Sequence, residues 1–98
     1  MTELEFEWDP AKAVLNDMKH GVSFEEAESV FVDDNAILIA DPEHSQDEER
    51  FILIGLGTSL RLLVVVYCYR MSEGAIRLIS ARRANRMEMY QYDRRWKR

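Results

Sequence analysis

Residues 50–83, RFILIGLGTSLRLLVVVYCYRMSEGAIRLISARR, decide the fold. RFILIGLG turns through Thr58 and Ser59, flanked by Gly55 and Gly57, into RLLVVVYCYR. The unbroken LLVVVY has no polar alternation, so it predicts a central strand covered on both faces. Met71 to Gly74 makes a second turn, and AIRLISA is the last strand. Strands joined by short turns imply antiparallel pairing.

The pattern on either side completes an α+β domain. Leu4, Phe6 and Trp8 alternate with Glu3, Glu5 and Glu7, the period of a half-buried strand. In DPAKAVLNDMKHG, Asp9 is a good N-cap, Pro10 suits the first helical position and Gly21 suits the left-handed C-terminal position. Ser23 and Glu26 have capping-box spacing, and Phe24, Ala27, Val30 and Phe31 give that second helix one apolar face. AILIA, residues 36–40, is a short strand, and DPEHSQDEE, 41–49, is a polar loop. From about Arg82 the chain is expected to be helical, with Met89, Tyr92 and Trp96 as an apolar stripe. The expected order is β-α-α-β-β-β-β-α: an antiparallel sheet with two N-terminal helices and a C-terminal helix, in a single domain over residues 1–98.

Charge is unevenly distributed. Residues 1–49 hold 15 acidic residues against 2 lysines, and residues 50–98 hold 11 basic residues against 3 acidic ones, behind a net charge of −5. The segregation fits a local basic surface for a polyanion or an acidic partner; it fits equally two halves that neutralise each other. No apolar run reaches the length of a membrane span, and MTELEFEWD has neither a basic nor an apolar signal region. The single cysteine, Cys68, lies in VVVYCY and is expected to be a small core residue. A cytoplasmic protein is expected.

Several chemistries find little support. His20 and His44 are the only histidines, with no His-x-x-x-His or Cys-x-x-Cys pair, and the acidic residues of 41–49 lack calcium-loop spacing. Gly55-Leu56-Gly57 starts a dinucleotide motif that no helix follows. Neither metal nor cofactor is expected. Arg50, Arg61, Arg70, Arg77, Arg82 and Arg83 come from neighbouring strands and the last helix's start, so they can converge on one patch and hold phosphate. Glu88 and Tyr92 are four apart on one helix face; Glu88 is either a salt-bridge partner or a general base. His20 is either a helix C-terminal cap or a proton-transfer group.

FEWDPAKA at 6–13, the run from Asn16 to Ala27 containing KHGVSFEEA, VFVD at 30–33, EERFILIG, VVVYCYR and IRLISARRA with Glu88 and Tyr92 resemble the BrnT family. The resemblance covers nearly the whole chain, in the family's order and spacing. It implies a RelE-like fold, ribonuclease activity that inhibits translation, and a type II toxin–antitoxin module. It also implies neutralisation by a BrnA-like ribbon-helix-helix antitoxin in a hetero-tetramer that meets operator DNA only through the antitoxin. Residues matching the family's polar signature are Lys19, His20, Arg50, Arg70, Arg77, Arg82, Arg83, Glu88 and Tyr92. Cys68, Asn85 and Met87 depart from the residues expected there. The expected scheme is metal-independent: Arg70, Arg82 and Arg83 stabilise charge, and Arg50 and Arg77 bind phosphate. Glu88 or His20 is the base, Lys19 contacts RNA, and Tyr92 orients or stacks on a base. The alternative is a non-catalytic subunit that binds RNA or a partner protein.

Overall fold

The computed structural model describes residues 4–42, 49–70 and 74–96. Most of the expected acidic loop, and the tip of the turn after Arg70, lie outside them. Five strands, β1 (Glu5–Glu7), β2 (Ile37–Ala40), β3 (Glu49–Leu56), β4 (Leu62–Arg70) and β5 (Ala75–Arg83), form one sheet in the order β1-β5-β4-β3-β2. Helices α1 (Pro10–His20) and α2 (Phe24–Ser29) follow β1, and α3 (Arg86–Trp96) follows β5. The element order is the expected one, with a short 3-10 turn, Val30–Val32, after α2.

Two features differ from expectation. Four strands are antiparallel, but β1 joins the edge of β5 in parallel, pairing Glu5 with Ala75 and Glu7 with Arg77. The chain returns to the sheet only after two helices, so β1 is not held to its neighbour by a hairpin. The second difference concerns Arg82 and Arg83, which belong to β5 rather than to a helix. Strand pleating therefore sends them to opposite faces of the sheet.

The local signals act as their chemistry requires. Asp9 Oδ1 accepts the Ala11 N–H at 2.9 Å, and Gly21 ends α1 at φ 67°, where a side chain would strain the backbone. Ser23 Oγ accepts the Glu26 N–H at 3.0 Å. Glu26 does not return the contact: its carboxylate takes Arg61 Nη2 at 2.5 Å and the Ser59 hydroxyl, which clamps the β3–β4 turn to α2.

The main core lies between the sheet and the α1–α2 side. Val22, Phe24, Ala27 and Val30 pack against Leu53, Leu63, Val65, Tyr67, Ile76, Leu78 and Ala81. Leu78 and Ala81 are three apart yet share this face because the β4–β5 register shifts beyond Val66, leaving Ile79 as the extra residue of a bulge. Edge-on ring contacts, Phe6–Phe31 at 5.0 Å and Phe31–Tyr67 at 4.9 Å, tie β1 and the 3-10 turn to β4. As expected, β4 is central and covered on both sides; Val64 and Ile54 pack with Ala84 on the opposite face in a smaller cluster.

α1 is held by an unusual contact. The buried Asn16 amide donates to the carbonyls of Ala81 at 2.8 Å and Val22 at 3.0 Å, and its oxygen accepts the Ala81 N–H at 3.1 Å. Where β1 stops, a side chain thus takes the place of a neighbouring strand along β5 and satisfies its edge.

Candidate active site on the open sheet face

The face of the sheet opposite the main core is only partly covered. The β4–β5 register places Cys68 opposite Arg77, and the β3–β4 register places Cys68 opposite Arg50. Arg50, Cys68 and Arg77 therefore form one cross-strand row on one face, the two arginines about 10 Å apart at the backbone, two strand spacings. Their side chains line a cleft of about 250 Å³, together with Asp9 and Lys12 from the start of α1. A second cleft of about 230 Å³ adjoins it, lined by Lys12, Lys19, His20 and Ser80; the two share Lys12 and Ile79. A groove lined by Arg50, Arg77, Lys12 and Lys19 thus runs between α1 and the sheet.

Each element has a reason to aim its residue there. The bulge at Ile79 leaves Arg77 on the open face while Leu78 enters the core. Asp41, itself buried, stands 3.5 Å from Arg50 Nε and steadies that side chain. Lys12 and Lys19 are seven apart on α1, two helical turns, so both project toward the groove. Cys68, 2 % exposed, is packed as expected and also lies at the cleft floor.

The remaining expected residues are placed differently. Arg82 Nη1 and Nη2 donate to Glu88 Oε1 and Oε2 at 2.9 and 2.8 Å. Glu88 also accepts the Asn85 N–H at 2.8 Å, while Asn85 Oδ1 accepts the Glu88 N–H at 2.9 Å, so this carboxylate caps α3. The hydrogen bonds from Arg82 hold the Glu88 carboxyl below its usual range, against the opposing effect of burial. Arg83 pairs in register with Leu63 and so lies on the main-core face, exposed, away from Arg50 and Arg77. Arg70 ends β4 opposite Ala75, and its side chain lies outside the described residues.

Tyr92 is buried, and its hydroxyl donates to Asp33 Oδ2 at 2.7 Å. It anchors α3 and offers no ring to stack on a base in this arrangement. Met89 of the same expected stripe is 42 % exposed. Burial raises the Asp33 carboxyl, but hydrogen bonds from the Leu56 N–H, Tyr92 and the Asn35 N–H outweigh it and leave it below its usual range. Arg61 is drawn away from the other arginines by Glu26 and by the Gly21 carbonyl, 3.1 Å from its Nη2.

Sequence reasoning missed Lys12, Asp9 and Ser80. For Lys12 a signal existed, its seven-residue spacing from Lys19; for Ser80 none did, because its position depends on the bulge. Among the described residues no three His, Cys, Asp or Glu side chains gather as metal ligands would, and no helix is long and apolar enough to cross a membrane.

The family described as "Ribonuclease toxin, BrnT, of type II toxin-antitoxin system" matches residues 8–88, a span that includes α1, both clefts and the Arg82–Glu88 pair. The fold is similar to the 1.1 Å crystal structure of the Brucella abortus ribonuclease toxin BrnT. The TM-score is 0.62 at 24% identity, covering 86% of this chain and 100% of that one. No curated protein matches the sequence. The family's match from Trp8 to Glu88 assigns the chain: it belongs to the BrnT family of ribonuclease toxins of type II toxin–antitoxin systems.

Proposed function

We propose that this chain is an endoribonuclease that cleaves RNA without a metal ion, by attack of the 2′-hydroxyl on the adjacent phosphorus, and so inhibits translation. The observation that carries the reading is the cross-strand row Arg50–Cys68–Arg77 with Lys12 at its edge, opening onto Lys19 and His20. Guanidinium groups on either side of a cleft grip a phosphodiester through paired N–H donors and stabilise the negative charge that grows on its oxygens.

The chemistry needs little else. A base takes the 2′-hydroxyl proton, the 2′-oxygen bonds to phosphorus, and the P–O5′ bond breaks. The 5′-oxygen gains a proton, leaving a 2′,3′-cyclic phosphate and a 5′-hydroxyl. Of the two expected bases, His20 borders the groove, whereas Glu88 is occupied twice over by Arg82 and Asn85. We assign proton transfer to His20, phosphate binding to Arg50, Arg77 and Lys12, and RNA backbone contact to Lys19. Arg82 and Glu88 hold the strand–helix junction beside the site. Control by a BrnA-like ribbon-helix-helix antitoxin, in a hetero-tetramer that reaches operator DNA through the antitoxin, completes the proposal.

The test is end-labelled RNA incubated with purified protein in EDTA, beside Arg77→Ala and His20→Ala. Wild type should give cyclic-phosphate ends, and each variant should lose about 10²-fold or more in rate. Products with 3′-hydroxyl ends that require Mg²⁺ would overturn the mechanism. RNA left intact even on translating ribosomes would favour the non-catalytic binding subunit.

A further inference from the structure

α1 is turned inside out relative to an ordinary surface helix. Its one buried residue is polar, Asn16, while Val14, Leu15 and Met18 are 60%, 64% and 79% exposed. These three lie at i, i+1 and i+4, so they form a single apolar patch, with Val14 and Met18 outward and Leu15 at its edge, where it also lines the second cleft. The Asn16 bonds to β5 fix this orientation, because rotating α1 to hide the patch would leave the Ala81 N–H and carbonyl unpaired. A concentrated apolar patch held outward by a rigid contact marks an interaction surface.

The flanks say what kind of partner fits. Lys12 and Lys19 border the patch on the side of the two clefts. On the other flank Asp17 lies in the field of Arg61. We propose that this patch receives an amphipathic segment of the antitoxin, apolar residues on Val14, Leu15 and Met18 and carboxylates on Lys12 and Lys19. The proposal rests on the ribonuclease reading, for a segment seated there closes the groove that RNA would enter. Charge favours this occupant over a second copy: α1 packed antiparallel on its own twin would bring two more lysines to the same flank.

The probe is the purified protein encoded by the reading frame adjoining this gene, titrated against full-length wild type, a Val14→Asp/Met18→Asp double variant and, as control, Leu38→Asp on the exposed β2 edge. All three should melt cooperatively, since each altered side chain is in water. The double variant should bind at least ~30-fold more weakly and Leu38→Asp within ~3-fold of wild type, as for loss of a buried apolar anchor. The free double variant should cut RNA as wild type does yet escape inhibition. Equal binding by the double variant, or no binding by wild type, overturns the proposal. So does a wild-type dimer in sedimentation that the double variant dissolves without loss of antitoxin affinity. If wild type cuts no RNA, the ribonuclease reading falls, while the affinity comparison still decides the docking surface.

Discussion

Arg82 and Glu88 meet as a two-pronged pair, 2.9 and 2.8 Å, across the junction where β5 ends and α3 begins. The same carboxylate caps the helix through Asn85, so one residue joins the sheet edge to the helix that covers its open face. The Glu88 side chain is largely sheltered, whereas that of Arg82 is 41% exposed. Solvent therefore weakens the attraction, and the pair is a fastening of moderate strength.

Glu88→Ala is expected to lower stability by about 1–2 kcal/mol, below the range for a fully buried pair because Arg82 stays hydrated. The folded-state carboxyl is depressed, so its contribution is present above the ordinary carboxylate pKa and lost as pH falls through the depressed value. Urea denaturation between pH 7 and pH 3 should show wild type losing a component that Glu88→Gln lacks. Glu88→Gln should keep RNA cleavage within about tenfold of wild type, since proton transfer is assigned elsewhere. A loss as large as that of His20→Ala would return Glu88 to the role of base.

Tyr92→Phe removes the hydroxyl that reaches Asp33 and should cost about 1–2 kcal/mol at pH 7, as for a hydrogen bond to a charged acceptor. Burial, together with the Asp33 carboxylate, pushes the Tyr92 phenol up to about 12. Its folded pKa lies above its unfolded one, so the contribution is full below about pH 10 and fades as pH rises toward 12. The gap between wild type and Tyr92→Phe should therefore narrow in melts taken at increasing alkaline pH. A constant gap would mean that the hydroxyl does not hold α3.

Asn16→Leu is expected to destabilise by about 2–4 kcal/mol although it replaces a polar residue with an apolar one in a buried place. It strands the Ala81 N–H and the carbonyls of Ala81 and Val22 without partners. Thermal melts should fall by ~10 °C or more for a domain of this size. Hydrogen exchange at the Ala81 amide should accelerate most.

Gly55→Ala tests the close approach of the 3-10 turn to β3. An added Cβ would stand 2.8 Å from Val30 Cγ1 and 3.0 Å from Ala36 Cβ, closer than carbon atoms tolerate. A cost of about 1–3 kcal/mol is expected from overpacking. Val30→Ala in the same chain should recover part of it if the clash is the cause.

The local grammar of the chain was legible because each signal acts within a few residues. Asp9, Pro10 and Gly21 bound α1, and Ser23 starts α2, through contacts that need no distant partner. LLVVVY announced a strand buried on both sides because only such a strand can do without polar residues. Glu26 marks the limit of this reasoning. Its spacing from Ser23 promised a reciprocal cap, but Arg61, 35 residues away, offers its carboxylate a charged donor and wins it.

The site was legible as residue types and not as an arrangement. Arg50 and Arg77 were named from the sequence, yet only register sets both beside Cys68. A one-residue change in register exchanges the two faces of a strand, and the bulge at Ile79 makes that exchange within β5. Arg82 and Arg83, beyond the bulge, are neighbours in sequence and face opposite ways through the ordinary pleat of the strand.

The sequence by itself determined the elements, their order, the central strand and the supply of cations, because hydrophobic period and helix caps are short-range. Only the tertiary structure decided which cations share a groove, which are neutralised by Glu26 or Glu88, and why α1 turns Val14, Leu15 and Met18 to water. Those outcomes depend on pairings between residues far apart in the chain, such as Asn16 with Ala81, where unsatisfied backbone groups cost more than exposed methyl groups.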